Sequence, residues 1–252
     1  MCLILFAYKV HPEYRLVVAA NRDEFYARPT APAHYWDDHP NILAGRDLEK
    51  MGTWMGVTTS GRFAALTNYR NPKEVTVGKR SRGELVAGFL QGKDTPFEYM
   101  KKSAANANMY PGYNLIAGDN ENLFYYSNIE NEIKKLPPGV YGVSNHLLNT
   151  DWPKVKRGKE GLAELIGGKN EDLSADLFKL LQHADPAPDE FLPNTGVSIE
   201  LERMLSPLFI QSEGYGTRSS TVLFMNDEKI DFNERVYSLD SVSSNRFTIK
   251  IS

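Results

Sequence analysis

Residues 1–24 read MCLILFAYKVHPEYRLVVAANRDE, and this stretch decides the fold. Residues 3–9 and 15–21 are apolar runs separated by His11, Pro12 and Glu13, which reads as a hairpin. Its far end carries Asn21-Arg22-Asp23-Glu24, four consecutive polar residues directly after residues 16–20. Its start carries Cys2, the only cysteine of the chain. If residue 2 opens one strand and residues 21–24 close its partner, antiparallel pairing puts the polar motif beside Cys2. Removal of Met1 would leave a thiol and a free α-amine on one residue. An α-amine titrates at about 7.7–8.0 and accepts a thiol proton near neutrality. Arg22 and Asp23 would then fix the amine and lower the thiol pKa, as nearby cations do. The competing readings are a lone buried thiol in a first strand and a solvated charged turn.

Composition bounds the function classes. The chain has 252 residues, 41% apolar and 24% charged, as expected of a globular protein, and one domain spanning 1–252 is expected. A net charge of −3 makes no case for nucleic acid or for an anionic membrane surface. One cysteine excludes an internal disulfide, and no Cys/His cluster has zinc-ligand spacing, so no metal site is expected. Residues 1–8 lack a basic flank and a cleavage site, which argues against a signal peptide. No apolar run approaches the ~18 residues of a membrane span. A cytoplasmic protein is expected.

Further along, residues 53–59 and 62–68 flank Ser60-Gly61 as a second hairpin. Ser81-Arg82-Gly83-Glu84 and Thr95-Pro96-Phe97-Glu98 read as capping boxes opening two helices. Strands are expected at 113–118 and 123–127, with a short pair at 132–136 and 140–143. Residues 153–183 read as two helices divided near Gly167-Gly168, and Leu201, Met204 and Leu205 suggest a short one. Strands follow at 221–225, 229–236 and 247–251. Strands at both ends with helices grouped between them imply α+β with stacked antiparallel sheets.

Several blocks recur in order: Met1-Cys2, Asn21-Arg22-Asp23-Glu24, Gly45-Arg46-Asp47, Gly52-Thr53-Trp54-Met55-Gly56, Thr67-Asn68-Tyr69-Arg70, Ser81-Arg82-Gly83, Tyr141-Gly142-Val143-Ser144-Asn145 and residues 215–221. Together they resemble the NRDE family, named for its Asn-Arg-Asp-Glu motif, which includes the transport-and-Golgi-organisation proteins. The resemblance implies a four-layer αββα sandwich of the N-terminal-nucleophile hydrolase type, with the cysteine-type bile-salt hydrolases and penicillin V acylases as enzyme relatives. By that resemblance Cys2 is the nucleophile and Arg22 and Asp23 orient it, although the acylases separate that pair. Asn145 and Asn68 become oxyanion donors and Arg218 a supporting cation. Taken without the resemblance, Asn68 and Asn145 are turn residues at strand ends and Arg218 caps a carbonyl. Gly45-Arg46-Asp47 and Gly52-Thr53-Trp54 read as entrance or packing elements, and Trp36 and Trp54 as walls of an apolar pocket or as core.

Two function classes stand against each other. One is a cysteine amidohydrolase or acyltransferase acting on a small amide or thioester and requiring no cofactor. The other is a non-catalytic protein that binds or carries haem, lipid or acyl-coenzyme A, with haem as a transient, non-covalent ligand of His34, His39 or His146.

Overall fold

The structure, a computed structural model, describes residues 2–238 and 241–251. Two antiparallel sheets are stacked. The first has the order β10-β1-β2-β11-β12-β13, formed by Gly139–Val143, Cys2–Tyr8, Leu16–Phe25, Tyr215–Met225, Lys229–Tyr237 and Val242–Lys250. The second runs β3 to β9 in sequence: Thr30–Tyr35, Ile42–Asp47, Met55–Thr58, Phe63–Asn68, Tyr113–Gly118, Leu123–Ser127 and Glu132–Lys135.

Side-chain alternation along β1 explains why its sequence is apolar at every position. Ile4, Phe6 and Tyr8 face the second sheet, packing with Val57, Phe63, Ile116 and Tyr125. Leu3, Leu5 and Ala7 face the opposite way, into a layer made by α3 (Pro153–Gly167) and α4 (Leu173–Leu181) with Val155, Leu162, Leu177 and Phe178. A strand buried on both faces needs apolar residues in both registers. Gly158 lets α3 settle on β1, because a Cβ there would lie 2.6 Å from a methyl of Leu5. The outer face of the second sheet is covered by α1 (Gly83–Gln91) and α2 (Pro96–Ala105) through Phe89, Leu90 and Met100. The layers are thus helix, sheet, sheet, helix, as expected.

Three local expectations are corrected. Residues 132–136 and 140–143 do not form a hairpin: β9 joins β8 in one sheet and β10 joins β1 in the other. The chain changes sheet across Pro137-Pro138, which lack the N–H groups that would continue a ladder. The capping box at Ser81 does not form. Arg82 occupies the N-cap of α1 without a side-chain cap, whereas Thr95 and Glu98 make both reciprocal bonds. Strands β3 and β4 were not expected, because Ala, Pro and Gly dilute their strand signal.

Candidate active site

The register of the first sheet builds the site. Cys2 lies directly opposite Arg22 on β2, Arg22 opposite Ser219 on β11, and Ser219 opposite Val236 on β12. Residues paired in this way share a face, with Cβ atoms about 4.5–5.5 Å apart. This row faces the second sheet and forms one wall of a cavity of about 530 Å³. The opposite wall comes from the ends of β4 and β6, the 53–54 segment and residues 76–83. Gly52 allows this closure, because a Cβ there would sit 2.6 Å from the backbone of Gly83.

Alternation also divides the Asn-Arg-Asp-Glu motif, which the structure keeps inside β2. Arg22 lies on the Cys2 face, and its guanidinium is 3.8 Å from Glu24. Asn21 and Asp23 belong to the helix-side register. Asn21 is fully buried and donates to the carbonyls of Leu181 and Leu208 at 2.9 and 2.8 Å, while its Oδ1 accepts from Ser220. Asp23 is 1% exposed, accepts from Thr217 at 2.7 Å and also borders the cavity. Four successive polar residues therefore mark a strand whose two faces both meet polar partners. They do not form a solvated turn.

The other candidates separate. Asn68 lines the cavity. Asn145 is fully buried and does not, and its Nδ2 donates to the Asn68 carbonyl at 2.9 Å. The neighbouring Ser144 hydroxyl donates to the Cys2 carbonyl at 2.9 Å, so this segment clamps the head of β1 to Asn68. Arg218 is the extra residue of a bulge between Thr217 and Ser219. It reaches the cavity, but its Nη1 donates to the carbonyls of Phe25, Tyr26 and Arg28, which fixes the 25–28 turn. Trp54 lines the cavity, whereas Trp36 is buried beneath Arg46. His34, His39 and His146 are absent from the described cavity wall, so a haem held there would find no histidine ligand on it. Among the described residues no cluster of three His, Cys, Asp or Glu side chains is arranged to hold a metal ion, and no helix is long and apolar enough to cross a membrane.

Burial governs the thiol of the Met1-bearing chain. Cys2 is 8% exposed, and with Met1 attached burial pushes its thiol up to about 11. Asp23 and Glu24 raise it further and Arg22 lowers it, but burial dominates. The thiol of the untrimmed chain is neutral at pH 7. Three contributors were missed from sequence. Arg82 lines the cavity and donates to the Gly112 carbonyl at 3.0 Å. Arg70 pairs with Glu202 at 2.6 Å and donates its backbone N–H to the Asn145 carbonyl. Lys154 is buried and donates to the Leu205 carbonyl at 3.0 Å. Their signal was weak, because isolated basic residues in loops and helices usually face solvent. The cavity wall carries eight basic and four acidic residues, a positive site in a negative chain.

The layers form an αββα sandwich, with Cys2 at the head of a central strand of the first sheet. A solved structure of this kind, the Caenorhabditis elegans N-acylethanolamine-hydrolyzing acid amidase ortholog, superposes with a TM-score of 0.51 over 88% of this chain and 92% of that one, at 12% identity. The chain belongs to the Transport and Golgi organisation 2 family, whose match spans residues 1–238. Transport and Golgi organization protein 2 homologs from Bos taurus and Homo sapiens are each 37% identical over 93% of this chain and 92% of theirs.

Proposed function

We propose that the protein is a cysteine N-terminal-nucleophile amidohydrolase or acyltransferase acting on a small amide or thioester in the cytoplasm, with Cys2 as nucleophile. The observation that carries this reading is the register of Cys2 against Arg22 on the wall of the positively charged cavity. Asp23 follows Arg22 on β2, and we assign it to the α-amine left by removal of Met1, with Arg22 serving the thiol side. In the reaction the amine takes the thiol proton and Sγ bonds to the substrate carbonyl carbon. Asn68 donates to the oxyanion, and Asn145 holds Asn68 in place. Collapse breaks the C–N or C–S bond, and the ammonium returns the proton to the leaving group. Water or an acceptor amine then cleaves the thioester and frees Cys2. The basic wall suits a substrate bearing negative charge.

The alternative is a non-catalytic carrier of haem, lipid or acyl-coenzyme A on the same fold, and the buried, neutral thiol of the Met1-bearing chain favours it. Intact-mass measurement of protein made in a bacterial host separates the two. Loss of Met1 is expected of the enzyme, and complete retention would overturn autonomous catalysis.

A further inference from the structure

The segment between β6 and α1, residues 69–82, carries two valines that the protein leaves uncovered. Val75 is 73% and Val77 89% exposed, more than any other large apolar side chain among the described residues. The segment is nevertheless braced on both sides of them. The Glu74 carboxylate turns inward and accepts from the Gly112 N–H at 2.8 Å. Beyond the valines, the Arg80 N–H donates to the Met109 carbonyl at 2.9 Å and the Lys79 ammonium donates to the Asn108 carbonyl. Between these ties the Lys79 N–H closes a turn on the Thr76 carbonyl. Gly78 takes a φ of 78° there, and nothing lies within 4 Å of where its Cβ would stand. The turn therefore projects from the surface. Thr76, between the two valines, lines the cavity, so the turn stands at its mouth.

The surroundings repeat this mixture of apolar and basic groups. The 47–51 turn carries Leu48 and Met51, each about half exposed, and its Lys50 lines the same cavity. The Thr53 N–H donates to the Gly83 carbonyl at 3.2 Å, which holds that turn against the same rim. Residues 71–82 hold Lys73, Lys79, Arg80 and Arg82 against one acid, Glu74, which faces inward. Arg80 pairs with Glu84 at 2.5 Å, whereas Lys73 and Lys79 form no ion pair among the described residues. This patch is positive in a chain of net charge −3. A single exposed apolar residue is ordinary, and Val10, at the far end of the first hairpin, is one. A stable protein interface needs a broad complementary patch of about 1,000 Å² or more, which a narrow projecting turn does not offer. A bilayer takes up isolated protruding side chains, and its anionic headgroups complement the lysines.

We propose that the 71–80 turn docks the protein on an anionic lipid bilayer, with Val75 and Val77 entering the boundary between headgroups and acyl chains and with Lys73 and Lys79 meeting the headgroup anions. Docked in this way, the cavity mouth opens onto the membrane surface. The docking does not rest on the reading of Cys2 as a nucleophile.

The test is co-sedimentation with vesicles. The parent should bind phosphatidylcholine vesicles containing about one-third phosphatidylserine, and pure phosphatidylcholine vesicles at least tenfold more weakly, with the anionic binding falling as salt is raised. Val75→Ser with Val77→Ser should weaken binding to the anionic vesicles by at least about tenfold. Lys73→Gln with Lys79→Gln should weaken it by roughly twentyfold, at about fivefold for each basic residue near such a surface. All four side chains are exposed, so Tm should stay at the parental value, and Val10→Ser should bind as the parent does. A parent that stays in the supernatant with anionic vesicles overturns the proposal. So does binding that survives both double variants, or that is lost equally in Val10→Ser. A parent that ignores vesicles but self-associates through the valine pair would assign the turn to a second copy of the chain instead. None of these readouts depends on Cys2 reactivity, so failure of the hydrolase reading leaves them intact.

Discussion

Asn21→Ala isolates the structural half of the Asn-Arg-Asp-Glu motif. The side chain is fully buried and makes bonds to three separate segments: Leu181 at the end of α4, Leu208 in the loop after a short helix, α5 (Ile199–Met204), and Ser220 on β11. Each bond contributes about 0.5–1.5 kcal/mol net, and the truncation leaves two carbonyls and a hydroxyl in a dry layer. Part of the Ser220 loss is offset, because the Tyr237 hydroxyl already donates to Ser220 at 3.0 Å. The expected cost is therefore about 3 kcal/mol, which lowers Tm by about 6–12 °C for a chain of this size. Urea unfolding followed by circular dichroism should show a lower midpoint with the slope unchanged, since the surface exposed on unfolding is the same. The iodoacetamide reactivity of the folded protein should not change, because Asn21 faces the helices and not the cavity. A loss below about 1 kcal/mol, or a folded variant with altered Cys2 reactivity, would refute the division of the motif by strand alternation.

Three other perturbations test other parts of the site. Arg218→Met removes the bonds that gather the carbonyls of Phe25, Tyr26 and Arg28, and hydrogen exchange of amides in 25–30 should accelerate at least tenfold; unchanged protection would mean that the turn holds itself. Glu202→Gln replaces the charged acceptor of a pair whose side chains are 8% and 3% exposed by a neutral one, and should cost about 1–3 kcal/mol by chemical denaturation, while a variant that keeps full stability would show the charge to be dispensable. The folded chain releases the Lys154 proton near pH 8, and the unfolded chain keeps it to about 10.4. Between these values the unfolded state binds more protons, so unfolding free energy should rise with pH more steeply in the parent than in Lys154→Met; equal slopes would place Lys154 in water.

Much of this architecture was legible in the chain. Apolar runs on either side of His11-Pro12-Glu13 announced the first hairpin, and the antiparallel register that follows set Arg22 against Cys2. The rest depended on contacts that no local pattern encodes. β2 runs on through Phe25 because Asn21 and Asp23 find polar partners on the helix side, information carried by residues about 160–200 positions away along the chain. Asn68 and Asn145 looked equivalent as strand-end asparagines, and only the meeting of the two sheets makes one a cavity wall and the other its clamp. Lys154 reads in sequence as an ordinary helix lysine, and its burial becomes visible only once α5 closes over it.

The measurement closest to the central claim is the rate at which iodoacetamide labels Cys2 with and without Met1. With Met1 in place, burial holds the thiol up to about 11, and labelling at pH 7 should be slower than that of a free thiol peptide. Trimmed protein, with Arg22 across from Cys2, should label faster than the peptide at the same pH. Equal, slow labelling of both forms would contradict the account, leaving the fold without the nucleophile.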